Sequence, residues 1–123
     1  TEIDITAQTG IKSLDVTIDC DNLDARELGT MGIPARFDLC NIEGFEDTNG
    51  TMHPAEDVRE AISALGFPIE DAVKDKPSIR LKIDKMFTGL LTGFPGNNNF
   101  ILTVTENNGL STTKTLKYYV PAN

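Results

Sequence analysis

The sequence predicts a mainly β chain with two or three short helices set between its strands. Three observations carry this expectation. Apolar and polar residues alternate strictly at 13–19 and again at 78–84, a long hairpin pattern fills 100–120, and one stretch of helical periodicity starts at Pro54.

IDITA near the start places Ile3, Ile5 and Ala7 in phase, and QTG at 8–10 reads as a turn into SLDVTID at 13–19. There Leu14, Val16 and Ile18 share one face and Cys20 continues it, while Asp15, Thr17 and Asp19 take the other, the period of a half-buried strand. A short helix is expected to begin near Asp21, followed by a strand-like piece, ARFDLCN, at 35–41. From Pro54 onward, Val58, Ala61, Ile62 and Leu65 fall at helical spacing. Pro54 suits a first helical position, and Glu56 and Asp57 stand where the helix dipole favours negative charge. SIRLKID at 78–84 turns Ile79, Leu81 and Ile83 inward and Arg80 and Lys82 outward. In FILTVTENNGLSTTKTLKYYV at 100–120, Asn108-Gly109 is expected to form a type I′ hairpin turn, since both residue types tolerate positive φ.

Gly, a large apolar residue and Pro recur at 32–34, 66–68 and 93–95. Each copy reads as the end of a helix. Gly66 is the left-handed residue with Phe67 packing back on Ile62, and Gly32 is the same with Ile33 packing on Leu28. The third copy fits less well, because Gly89 holds the position that should meet Phe94, although Met86, Phe87, Leu90 and Leu91 form an apolar stripe behind an Asp84 cap. The clustered glycines of a phosphate loop are not present in any copy.

The chain has 123 residues with a formal net charge of -8, which suits one globular domain and gives no phosphate-neutralising surface, so nucleic acid is not an expected partner. No apolar run reaches the roughly 20 residues of a membrane-spanning helix. The opening TEIDITA, which has neither Met nor a signal peptide, reads as a processed chain or an excised domain. Charge is uneven: residues 1–71 carry -12 and residues 72–123 carry +4. A solvated acidic face is the plain reading, and a site for a cation or basic partner the sharper one.

Candidate site residues are few. Asp19, Asp21 and Asp24 in DCDNLD suggest a possible calcium site, although the central Gly and distant Glu of an EF-hand are missing and Asp21 also suits a helix cap. FEDTNGTM at 45–52 reads as a polar loop first and a cation loop second, with a formal NGT glycosylation sequon. His53, the one histidine, is expected to cap the helix that follows and to have no catalytic role. Cys20 and Cys40 allow one disulfide, or Cys20 buried as a small apolar group. Tyr119 is the outward aromatic of the last strand, a poor platform by itself for carbohydrate.

The last hairpin, FILTVTENNGLSTTKTLKYYV, resembles the closing strands of bacterial Ig-like modules of the PKD and fibronectin type III kind. Taken with ITAQTGIKSLDVTID at the start and LGFPIEDAVKDK in the middle, it resembles more narrowly a module of surface lipoproteins from Gram-negative gut anaerobes. The resemblance implies one Ig-like β-sandwich over 1–123, from which this chain departs by a helical insertion at about 21–68. It further implies a non-catalytic structural or interaction module of the cell envelope, surface-exposed or periplasmic, monomeric when isolated, with no cofactor and an unidentified protein or glycan partner. Two alternatives stand beside it: an adhesin or pilus-associated subunit binding through a strand edge, and an accessory, glycan-binding domain of a surface hydrolase.

Overall fold

The computed structural model describes residues 2–82 and 93–121. The strands are β1 (Glu2–Thr6), β2 (Ile11–Cys20), β3 (Arg36–Asp38), β4 (Phe45–Glu46), β5 (Met52–His53), β6 (Ser78–Lys82), β7 (Gly96–Glu106) and β8 (Ser111–Val120). Helix α1 (Ala25–Thr30) lies between β2 and β3, and α2 (Ala55–Ala64) lies between β5 and β6, so the chain is mainly β with helices set between strands.

All pairings are antiparallel. β3-β2-β7-β8 form one sheet, β1 pairs with β6, and β4 with β5. The alternation read in the sequence sets which side of each strand is buried. Leu14, Val16 and Ile18 of β2 and Phe100, Leu102 and Val104 of β7 are buried, while Asp15, Thr17, Thr103 and Thr105 stand on the opposite face. The β1–β6 ribbon adds Ile5 and Leu81, and α2 adds Val58 and Ile62, to the same continuous core. Lys114 of β8 donates through Nζ to the Asp4 carbonyl of β1 at 2.9 Å, which ties the ribbon to the larger sheet.

The helix ends repay close reading. Gly32 has φ +78, its N–H donates to Gly29, and the Ile33 N–H donates to Leu28, the two bonds of a Schellman motif, with Leu28 and Ile33 both buried. At the second copy Gly66 has φ +103 and its N–H donates to Ser63, but Phe67 turns to β3, meeting Phe37 edge-on at 5.7 Å. The expected strand residue Ile83, the Asp84 cap, Gly89 and the stripe of Met86, Phe87, Leu90 and Leu91 lie outside the described residues.

Several local expectations are corrected. The cap of α1 is Asp24, whose Oδ1 accepts from the Glu27 N–H at 2.9 Å, and not Asp21. Pro54 is the N-cap of α2 and not its first residue, and His53 makes no cap hydrogen bond. Residues 45–52 are not a plain loop, for they begin and end in the β4–β5 hairpin. The turn between β7 and β8 has positive φ only at Gly109, with Gly109 N–H on Glu106 and Glu106 N–H on Leu110, as in a type I turn closed by a bulge. Type I′ loses here because the tip is held from outside: Asn107 Nδ2 donates to the Thr9 carbonyl at 2.9 Å and to Asp75 at 3.1 Å, and the Asn108 N–H donates to Thr9 Oγ1.

The three Gly-apolar-Pro copies are therefore separable by mutation. Gly32→Ala and Gly66→Ala should each destabilise the fold by about 1 kcal/mol, because an L residue is strained at positive φ. Gly93→Ala, where an added Cβ meets nothing within 4 Å, should change stability little. Urea denaturation of the three variants measures the difference.

Candidate functional site

A cleft of about 500 Å³ lies at the β3 edge of the four-stranded sheet. Three of its residues come from the outer sheet face: Asp15 stands directly opposite Asp38 in the β2–β3 pairing, and Arg36 lies two residues before Asp38 on the same strand. Asn41, Glu43 and Phe45 come from the segment leading into β4. The cleft is wide open, and its lining mixes acceptors, donors and two aromatic residues, Phe37 and Phe45.

Asp38 is fixed by its neighbours: Oδ1 accepts from the Leu14 N–H at 3.0 Å and the Cys40 N–H at 2.9 Å, which closes the turn after β3. Among the described residues the Asp15 side chain makes no such bond. Burial, and then the Asp38 carboxylate across the strand pair, push its carboxyl above the ordinary range, with the Arg36 charge opposing. Asn41 Nδ2 donates to Glu43 Oε1 at 3.2 Å. Arg36 is exposed and donates no hydrogen bond to any described residue.

Beside the cleft, Phe45 stacks on His53 with ring centroids 4.9 Å apart and planes 17° from parallel. His53 Nε2 meets Asp47 Oδ2 at 2.8 Å, and Asp47 Oδ1 accepts from the Asn49 and Thr51 N–H groups, each at 2.9 Å. Only 4% of the Asp47 side chain is exposed. Its backbone lies against α1 at Gly29, where an added Cβ would come within 2.8 Å of Asp47 Cβ. Position by position, this histidine orients the β4–β5 turn; it does not line the cleft.

The acids of DCDNLD are employed separately. Asp21 Oδ2 accepts from the Asn97 N–H at 2.9 Å at the start of β7, Asp24 caps α1, and Asp19 is exposed on the outer face of β2. Among the described residues no group of three or more His, Cys, Asp or Glu is placed to hold a metal ion. Tyr119 is outward as expected, 64% exposed, but on β8 at the far side of the sheet from the cleft. Arg36 and Phe45 lie within stretches read from the sequence, ARFDLCN as a strand-like piece and FEDTNGTM as a polar loop, but neither is a candidate site residue there; only the pairing of β2 with β3 puts Arg36 near Asp15.

Cys20 and Cys40 are free thiols. Cys40 sits beside Leu14, whose N–H shares the Asp38 oxygen with its own, whereas Cys20 ends β2 six residues further on. At about 3.3 Å per residue that is roughly 20 Å, far beyond the ~7 Å Cα separation a disulfide allows. Burial pushes both thiols from 9.0 up to about 11. In comparisons with known protein families, characterised proteins and solved structures, the chain gives no significant match.

Two pH responses follow. Hydrogen bonds from His53 and then from the Thr51 and Asn49 amides hold Asp47 below its ordinary 3.8, so its contribution to stability is complete above pH 3.8 and is lost as pH falls through the lower folded value. Thermal melts of the wild type and Asp47→Asn should differ at neutral pH and converge in acid. The thiols act in the opposite direction: their burial stabilises fully below pH 9.0 and the effect is lost as pH rises toward 11. A thiol reagent at pH 8 should label both cysteines slowly in the folded chain and at once in urea, with no change in mass on prior reduction.

Proposed function

We propose that this chain is an Ig-like β-sandwich serving as a non-catalytic structural or interaction module of an extracytoplasmic, cell-envelope protein. The strand order carries the proposal. In Ig-like sandwiches strand B lies beside E in one sheet, while G, F, C and C′ follow one another in the other. Here β1 lies beside β6, and β8, β7, β2 and β3 follow in that order, so the same neighbour relations arise with β1 as B, β2 as C and β8 as G. Helix α2 and the β4–β5 hairpin occupy the connection between C′ and E, where strand D would run. The terminal hairpin, with Thr and Lys on exposed positions, fits the resemblance to envelope modules, and the orientation of His53 toward a turn carboxylate favours a non-catalytic reading.

A second reading, a pilus-associated or adhesive subunit that pairs through a strand edge, draws on one observation. Among the described residues β8 pairs only with β7 and β1 only with β6, and a carbonyl on β1, that of Asp4, takes a side-chain donor, Lys114 Nζ.

Fractionation of the native cells with an antibody to this domain tests the first reading. The protein should be recovered in the envelope fraction and be accessible to protease added outside the cytoplasmic membrane; a cytosolic protein would sink it. Sedimentation of the purified chain separates the second, because edge pairing should give mass that rises with concentration, whereas the simple module should remain a monomer.

A further inference from the structure

We propose that the cleft at the β3 edge, built on Asp15, Arg36, Asp38, Asn41, Glu43 and Phe45, is a binding site for a neutral saccharide unit. The proposal rests on the interaction-module reading and names its ligand.

The lining selects the ligand class by its charges. Asp15, Asp38 and Glu43 present acceptors, so an anion is repelled; Arg36, opposite Thr17 and two residues from Asp38 on the same sheet face, adds a positive charge, so the lining carries both signs. A neutral ligand whose groups both donate and accept satisfies both. Vicinal hydroxyls do this, giving protons to the carboxylates and accepting from the guanidinium fork and the Asn41 amide. Two features indicate unmet hydrogen-bonding capacity. Asp15 faces a like charge across the strand pair, opposed in part by the Arg36 charge, and the Arg36 guanidinium makes no hydrogen bond to any described residue. Phe45 supplies an apolar wall for the C–H face of a sugar ring, held in orientation by its stack on His53 and, through His53, by the buried Asp47 carboxylate. The volume lies within the ~300–1,000 Å³ of small-ligand clefts. The site's openness suits a chain end or a short oligosaccharide and binding on the order of millimolar.

The test is an amide-resolved NMR titration of the whole 123-residue chain with glucose, galactose, mannose, N-acetylglucosamine and their common disaccharides, with putrescine as the cationic control and malonate as the anionic one. At least one sugar should give saturable shifts centred on Asp15, Arg36, Asn41 and Phe45. Arg36→Ala and Asp15→Asn should each weaken that binding about tenfold or more, the loss expected for a hydrogen bond to a charged group. Arg36 is exposed and Asp15→Asn keeps shape, so both variants should retain the wild-type spectrum elsewhere. Tyr119→Ala, on the far strand of the same sheet, should bind as wild type. No response to any sugar, shifts centred on Tyr119, or tighter binding of putrescine or malonate at these residues would overturn the saccharide site. None of these outcomes touches the cell-fractionation result, so the envelope-module reading stands or falls separately.

Discussion

The pairing of β2 with β7 is the constraint on which the rest of this molecule depends. β2 is an interior strand, with β7 on one side and β3 on the other, and its register decides the two faces of the sheet at once. In that register Leu14, Val16 and Ile18 face the core while Asp15 and Thr17 face out. A slip of one residue would bury the carboxylate and expose the aliphatic row, so the hydrophobic cost of misregister protects the polar face as firmly as the core. The irregularity between Ile11 and Ser13 belongs to the same solution. A register shift there lets Ile11 and Leu14 both turn inward, although their spacing is odd.

The acidic first half of the chain also takes on a different meaning in three dimensions. Its carboxylates are not simply a solvated face, because four of them accept backbone N–H groups at places where the chain changes direction. Asp21 holds the start of β7, Asp24 caps α1, Asp38 closes the turn after β3, and Asp47 closes the β4–β5 turn. Short side chains with acceptor oxygens are suited to this work, since they satisfy donors that no strand or helix partner reaches. Asp15 differs from these four: it is an acid on a strand, set directly opposite another acid and not employed in any turn. Its setting is the reason the cleft reads as a place for something from outside the chain.

That cleft and the sandwich reading support one another physically. The outer face of the four-stranded sheet is polar and rigid, and the segment after β3 folds beside it through the Asp38 turn and the Phe45–His53 stack. A binding surface on a strand edge walled by a braced loop needs little rearrangement to take up a ligand, which lowers the ordering cost of weak binding. The same segment leads on to the β4–β5 hairpin and helix α2. The molecule's particular chemistry thus sits beside its insertion.

Much of this was legible in the residues. The strands expected at 13–19, 78–84 and 100–120 and the helix after Pro54 are found over their described residues, since each writes its period into side-chain polarity, a local property that burial on one side enforces. The stops at Gly32 and Gly66 were legible for a similar reason, because left-handed φ is a demand made on one residue. The type of the last turn was not, since Thr9 and Asp75, distant in sequence, hold the tip. Nor was the role of Asp21 or His53, whose partners are an amide of β7 and a carboxylate in a turn. The cleft was invisible altogether: Asp15, Arg36 and Phe45 become neighbours only when β3 pairs with β2 and the chain folds back through Asp38. By itself, then, the sequence determined which segments are strands or helices and which way each faces. The tertiary structure decided which polar groups meet, because that depends on strand order and register, and these are set by the packing of the whole core.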